Sequence, residues 1–375
     1  IAITKSFTLS KRGRVISINC VVSEGMIFTS KCFLRIQRRI RLRIQLIAQL
    51  ILLIVLPNLL TGCEGGIVPS LSIEVATVGA YGGAFSDDGK LAIVGSINHG
   101  GSLWRVNDKE RLYNWNHHQG TYTDIIAADF SPDGEWAITT DEHTMVLWKT
   151  TDGSAYRYWT APGNILSIAL SKNGRYALLG LSNNTAVVFD VQLGGIRRTF
   201  QHQAPVTSVD LSDDNKFALT GSEDYTATLW DIDKNKPVHT ITHNDYVQKV
   251  ALSPDGKHAF SASRYDKAVV WDTATGSIVG QLALATEKLK RGMRFTTVKF
   301  SNNGDFLLTG LPNRTVQLWN AKNLQETSQW ILPKRDIWKP TGAAVLAVSF
   351  SDPSKTYYAI ASNGFIHQLN QSRTQ

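Results

Sequence analysis

A unit of 40 to 50 residues recurs along most of this chain, and that repeat limits the possible folds more than any other feature. Its clearest copy runs from His202 to Asp231, three short strand-like runs separated by turn residues. Aligning on a hydrophobic-Ser pair finds seven copies: Phe85-Ser86, Phe130-Ser131, Leu170-Ser171, Leu211-Ser212, Leu252-Ser253, Phe300-Ser301 and Phe350-Ser351. Successive serines lie 45, 40, 41, 41, 48 and 50 residues apart. An aromatic closes the third run 18 residues after the serine at Trp104, Phe189, Trp230, Trp271 and Trp319. Copy two is one residue shorter, at Trp148, and copy seven has Leu369 instead.

Between the first two runs stand Asp87-Asp88-Gly89, Pro132-Asp133-Gly134, Lys172-Asn173-Gly174, Asp213-Asp214-Asn215, Pro254-Asp255-Gly256 and Asn302-Asn303-Gly304. Gly and Asn tolerate the positive φ of a tight hairpin, so each triplet reads as a turn. A period of roughly 40 to 45 residues is that of a four-stranded propeller blade. The fold class is therefore all-β: a seven-bladed β-propeller of four-stranded antiparallel blades. Runs such as Phe217-Ala-Leu-Thr are apolar on both faces, as a sheet packed between two others requires, so weak alternation is predicted. Copy seven ends at Asn370 without a fourth strand, while Leu71-Ser-Ile-Glu-Val75 precedes copy one and belongs to no complete unit. That N-terminal segment is predicted to close the ring as the outer strand of the seventh blade. The organisation is then a leader over 1–62, a tether over 63–70, a propeller over 71–370 and a tail over 371–375.

The formal charge of +8 points to an anionic partner until the charge is located. Ten basic residues and one acid precede Cys63, leaving 29 Lys plus Arg against 30 Asp plus Glu in the rest. The repeat region is near neutral, which argues against nucleic acid. Its single cysteine excludes an internal disulfide and a multi-thiolate zinc site. From Met26, a cationic run is followed by an apolar run from Ile44 to Leu60, interrupted near its end by Pro57. This is secretory-signal order, and the run is short for a membrane span, which needs about 20 residues. It stops at Leu60-Thr61-Gly62-Cys63-Glu64, which resembles the bacterial lipobox. The resemblance implies cleavage before Cys63 and acylation of its thiol. Glu64 is not the Asp that retains such proteins in the inner membrane, so the implied address is the periplasmic side of an outer membrane.

From Leu71 to Asn370 the repeat resembles the WD-repeat β-propeller family. That resemblance implies a buried network in each blade, from a Trp indole through Ser or Thr and His to Asp. Copy four matches throughout with His202, Thr220, Asp224 and Trp230. Copy five keeps His243, Ser261 and Trp271 but has Tyr265 at the Asp position. Copy six keeps Thr309 and Trp319, with Asn313 for Asp and Arg291 for His. Copies one, three and seven have Asn98, Asn183 and Asn363 at the Asp position and no His.

In the family the blade-to-blade connections and the turn after each second strand share one face. Two long connections would carry Lys288, Lys290, Arg291 and Arg294, and then Trp330, Lys334, Arg335, Trp338 and Lys339. They form a candidate basic, aromatic-edged patch for an acidic protein surface or an anionic envelope polymer; the alternative is two solvated loops. His117-His118 lacks a third placed ligand, so it reads as part of an outer strand rather than a metal site. No esterase elbow, phosphate loop or zinc-protease helix motif is present. No cofactor is called for. The chain reads as a lipid-anchored envelope scaffold, its propeller monomeric, that binds other envelope proteins. The alternative is a hydrolase or lyase with its site in the central channel, which clustered carboxylates there would favour.

Overall fold

The computed structural model describes residues 5–11, 14–20, 66–118, 120–282, 294–336, 342–351 and 355–371. The chain divides into two compact units, Ile1–Gly65 and Gly66–Gln375. In the first, Lys5–Lys11 and Arg14–Cys20 pair as an antiparallel hairpin, with Lys5 opposite Cys20 and Lys11 opposite Arg14. The apolar run and Cys63 lie outside the described residues.

In the second unit the copy-defining serine is a turn clamp. Its hydroxyl donates to the turn acid or Asn two residues on: Ser86 to Asp88, Ser131 to Asp133, Ser171 to Asn173, Ser212 to Asp214, Ser253 to Asp255 and Ser301 to Asn303. The amide five residues later donates back to the serine, as Phe217 does to Ser212 at 2.9 Å. The third turn residue then sits at positive φ, for instance Gly174 at 63° and Asn215 at 58°. Only Gly and Asn reach that region cheaply, which explains the triplets.

Each of these six turns joins the first two strands of a four-stranded antiparallel sheet, and with the last copy there are seven such sheets. Blade one runs Ala80–Phe85, Leu91–Ser96, Gly100–Arg105 and Glu110–Trp115; blade four runs Val206–Leu211, Phe217–Ser222, Thr226–Asp231 and Lys236–Thr242. Blade two runs Ala127–Phe130, Trp136–Thr140, Thr144–Lys149 and Ala155–Thr160; blade three Ile165–Leu170, Tyr176–Leu181, Thr185–Asp190 and Ile196–Gln201. Blade five runs Val247–Leu252, His258–Ser263, Ala268–Asp272 and Ile278–Gln281; blade six Thr297–Phe300, Phe306–Gly310, Thr315–Asn320 and Glu326–Ile331. Blade seven takes Val345–Ser351, Thr356–Ala361 and Phe365–Asn370 from the end of the chain and Leu71–Glu74 from before blade one. Ile73 pairs with Ile366 there, so the predicted closure holds. The innermost strands touch in sequence around the ring, including Val345–Ser351 against Ala80–Phe85.

Seven buried apolar clusters fill the structure, each shared by two neighbouring blades. Leu219, Leu229, Val250 and Trp271, for example, join blades four and five. Burying such a side chain contributes about 1.5–3 kcal/mol, so the seams hold the ring. Second and third strands are buried on both faces, as Phe217–Ser222 shows, while outer strands are largely exposed. The weak alternation predicted from the sequence follows from that packing.

The ring has a second seal. Ile67 lies parallel to Trp330 on the outer edge of blade six, its amide donating to Gln329 O at 2.8 Å and its carbonyl accepting from Ile331 N at 3.0 Å. Trp330 is fully buried and its indole donates to Asn370 O at 2.9 Å. The expectation that Trp330 belongs to a surface patch is corrected: it packs the seam between blades six and seven.

Candidate functional site

Strand order places two kinds of loop on one face of the ring: the blade-to-blade connections and the turns after each second strand. We call it the connection face; the serine-clamped turns lie on the other. Polar networks brace the connection face from below. In blade four His202, just past the outer strand of blade three, receives or donates at both nitrogens: Nδ1 lies 2.8 Å from Asp224 Oδ2 and Nε2 2.9 Å from Thr220 Oγ1. The Trp230 indole donates to the same Thr220 oxygen at 2.8 Å. Burial works to raise the Asp224 pKa, but hydrogen bonds from His202, Thr226 and the Gln203 amide prevail and hold it well below the usual range. A blade connection and a hairpin turn are thereby locked together.

Blade two carries a second network that sequence spacing did not reveal. His117 is 2% exposed and touches Thr144 Oγ1 at 2.6 Å and Thr139 Oγ1 at 3.0 Å. Trp148 donates to Thr139, and Thr144 to Asp141. His117 therefore lies past the outer strand Glu110–Trp115, not in it, and is a brace. Burial pushes its pKa down to about 4 against the pull of Asp141.

The other predicted networks are partial. In blade five His243 Nε2 meets Ser261 Oγ at 2.9 Å, but His243 Nδ1 and Trp271 Nε1 are buried without a partner. In blade six Trp319 donates to Thr309 at 3.0 Å, while Asn313 is exposed rather than standing in for the acid, and Arg291 lies outside the described residues. Blade one substitutes a third-strand hydroxyl, with Trp104 donating to Ser102 at 2.9 Å.

Above these braces the connection face gathers apolar and aromatic side chains. Val78, Tyr81, Tyr122, Ile126, Leu166, Tyr225 and Tyr265 are between 40% and 69% exposed there; among the described residues the outer strands expose Tyr158, Ile196, Val238, Ile278 and Val279, and the turns of the opposite face expose Leu193. Tyr81, Ile126 and Leu166 rim the channel mouth on blades one to three. Tyr122 stacks on His99, and Tyr225 on Tyr246 at 5.5 Å. Over blade five the Arg264 guanidinium covers the Tyr265 ring at 4.8 Å. Hydrogen bonds from Arg294 and Arg264 hold the Tyr265 phenol below its ordinary pKa.

Of the predicted basic patch, Lys288, Lys290, Arg291, Trp338 and Lys339 lie outside the described residues. Arg294 and Lys334 are exposed on this face. Arg335 is committed elsewhere: it pairs with Glu74 at 2.9 Å, donates to Ala76 O and Asn363 O, and lies over the Phe365 ring at 5.0 Å. It clasps the closing strand, so it is corrected from a free contact cation to a seam residue.

The channel encloses about 410 Å³ between the innermost strands. Its deeper part holds carboxylates. Burial pushes Asp129 up to about 7 and Asp210 to about 6, although each accepts an amide from the next blade, Leu170 N at 2.8 Å and Leu252 N at 2.7 Å. Lys299 crosses to Asp87 at 2.7 Å; burial opposes its charge, but that pair prevails and raises its pKa. Among the described residues no group of three or more His, Cys, Asp or Glu is placed to hold a metal ion.

Four stretches of the chain, 109–149, 194–231, 235–272 and 291–320, match the repeat described as WD domain, G-beta repeat. Three of them begin at the outer strand of one blade and end with the third strand of the next, the same offset that makes the closing strand necessary. No curated protein matches the chain.

Proposed function

We propose that this seven-bladed propeller of WD40 repeats is a protein-interaction scaffold, anchored in the bacterial envelope by lipid on Cys63 and presenting its connection face to another envelope protein. One observation carries the reading: Tyr81, Ile126 and Leu166 rim the channel mouth and Val78, Tyr122, Tyr225 and Tyr265 are exposed on the same face, against Leu193 on the opposite turns, with Arg264, Arg294 and Lys334 along one side. Isolated exposed apolar residues are ordinary; a rim of them with flanking Tyr and Arg has the composition of a contact surface. The hydrogen-bonded braces beneath it fix the loops before binding, which lowers the entropy lost on association.

The anchor rests on the order of the leader and on Leu60-Thr61-Gly62-Cys63. The mass of the mature N-terminus tests it: a diacylglyceryl cysteine at residue 63 is expected, and an unprocessed or unmodified chain refutes it. The contact face is tested by capture from detergent-solubilised envelopes. A Tyr81→Ser, Tyr122→Ser, Leu166→Ser triple variant is expected to lose a partner that the natural chain and a Leu193→Ser control both recover. A variant with Lys288, Lys290, Arg291, Arg294, Lys334 and Lys339 changed to Gln then measures the share of the basic side. Arg335 is left intact because it holds the seam.

A channel enzyme is the second reading, favoured by the Asp129 and Asp210 carboxyls that titrate near neutrality. Groups so poised suit acid–base chemistry. Their hydrogen bonds to the next blade are the competing explanation, and loss of any hydrolytic turnover in Asp129→Asn would decide for catalysis.

A further inference from the structure

The repeat supplies its own control for the channel wall. At the position four residues before each clamp serine, blades seven, one and two carry Ala347, Gly82 and Ala127. Blades three, four, five and six carry Ser167, Ser208, Lys249 and Thr297. All line the channel, so one layer is small and apolar on three consecutive blades and rich in hydrogen-bond donors on the other four.

Lys249 is the anomaly in that layer. Every other blade closes its seam there with a small residue, so the fold does not call for a long cation. Its ammonium has no ion-pair or hydrogen-bond partner among the described residues, and burial pushes its pKa down. The deeper Asp129, Asp210 and Lys299 lie two residues further along their strands, roughly 6.6 Å away in strand rise. They are occupied with backbone amides and with Asp87. The neighbours of Lys249 have donors to offer. Ser167 and Ser208 each accept an amide from the following blade, Val209 N at 3.2 Å and Val250 N at 3.1 Å, which leaves the hydroxyl protons free to donate. One residue nearer the mouth on blade six, the Thr296 hydroxyl is buried without a partner.

Lys249 is half-buried in the channel wall without a counter-charge, and the hydroxyls of its layer complete the donor set that an oxyanion accepts. We infer that the channel is a binding site for a small molecule bearing one oxyanionic group, a carboxylate or phosphate, held by Lys249 with Ser167, Ser208 and Thr297. The volume suits a ligand of this size. The carboxylates deeper in the channel disfavour a polyanion, and the Tyr81, Ile126 and Leu166 rim admits an apolar body. The site shares the Tyr81, Ile126 and Leu166 rim with the connection face, but its oxyanion-holding residues lie inside the channel, so it stands or falls apart from the scaffold reading.

Inorganic phosphate is the probe, with acetate as the carboxylate arm, titrated against the full chain at constant ionic strength. Saturable binding of one equivalent is expected. Lys249→Met is expected to weaken it roughly tenfold or more, and Lys249→Arg to retain most of it, since charge-assisted hydrogen bonds are the strong ones. Circular dichroism reports whether each variant is folded. On the natural chain, amine acetylation followed by mass spectrometry adds a readout that needs no variant: phosphate is expected to protect Lys249 and not Lys257. Absence of saturable binding in the millimolar range, or equal binding by folded Lys249→Met, overturns the site. So does labelling of Lys249 that phosphate leaves unchanged.

Discussion

Blades four and five are neighbours with the same strand register, yet one has a closed polar network and the other an open one. Around the turn after the second strand, blade four reads Glu223-Asp224-Tyr225 and blade five reads Arg264-Tyr265-Asp266. Asp and Tyr have changed places. In blade four the Asp224 carboxylate takes both the Gln203 amide and His202 Nδ1, and Tyr225 follows at φ 72°. In blade five Asp266 takes the equivalent amide, of Asn244 at 3.1 Å, but not His243. Tyr265 is turned out onto the connection face, 48% exposed. One exchange of neighbours therefore removes a brace while each blade keeps an exposed Tyr on that face, Tyr225 at 45% in blade four. The orphaned His243 and Trp271 nitrogens show that blade five gives up local stability there, while its packing into the shared cluster with blade four keeps the fold.

The largest way to break the comparison is at its hub. Thr220→Val strands both His202 Nε2 and the Trp230 indole and is expected to cost about 3 kcal/mol, measured by urea unfolding. Ser261→Ala strands only His243 Nε2 and should cost about half as much. Exchanging Tyr265 and Asp266 sharpens the comparison in the other direction. The double variant is expected to gain about 1–2 kcal/mol and to lift His243 above its pKa of about 4, followed by imidazole NMR.

Acid should separate the blades as well. Burial, aided by Lys267, lowers the His243 pKa from 6.5 to about 4, so the unfolded chain binds the extra proton and stability falls as pH drops through that window. Asp224 is depressed, so its contribution persists until pH falls below 3.8. Relative to the intrinsic exchange rate at each pH, amide protection is expected to fall from pH 7 to pH 5 in peptides of blade five and not blade four. The smallest effect is at the indoles. Trp230→Phe should cost about 1 kcal/mol more than Trp271→Phe, because only the first loses a hydrogen bond.

The architecture was legible because the clamp serine, the turn triplet and the closing aromatic recur at fixed intervals, each with a local physical cause. The closing strand followed from counting runs. What stayed hidden was contact made across blades. Asp141 follows Thr139 by two residues where Asp224 follows Thr220 by four, so the His117 network does not align with the complete copy. Its signal was the one-residue shortening before Trp148. Trp330 and Arg335 read as surface groups because the segment that covers them, Ile67 to Ala76, lies some 260 residues away in the chain. Lys249 was legible in principle: aligned by clamp serine, it is the one long side chain at its position.

The central claim is that the connection face, and not the opposite one, meets a partner. Photo-crosslinking residues placed at Tyr122 and Leu166, and at Leu193 on the other face, test it in intact envelopes. One discrete adduct from Tyr122 and Leu166 with none from Leu193 is the expected result. An adduct from Leu193 alone, or the same adduct from both faces, would contradict it.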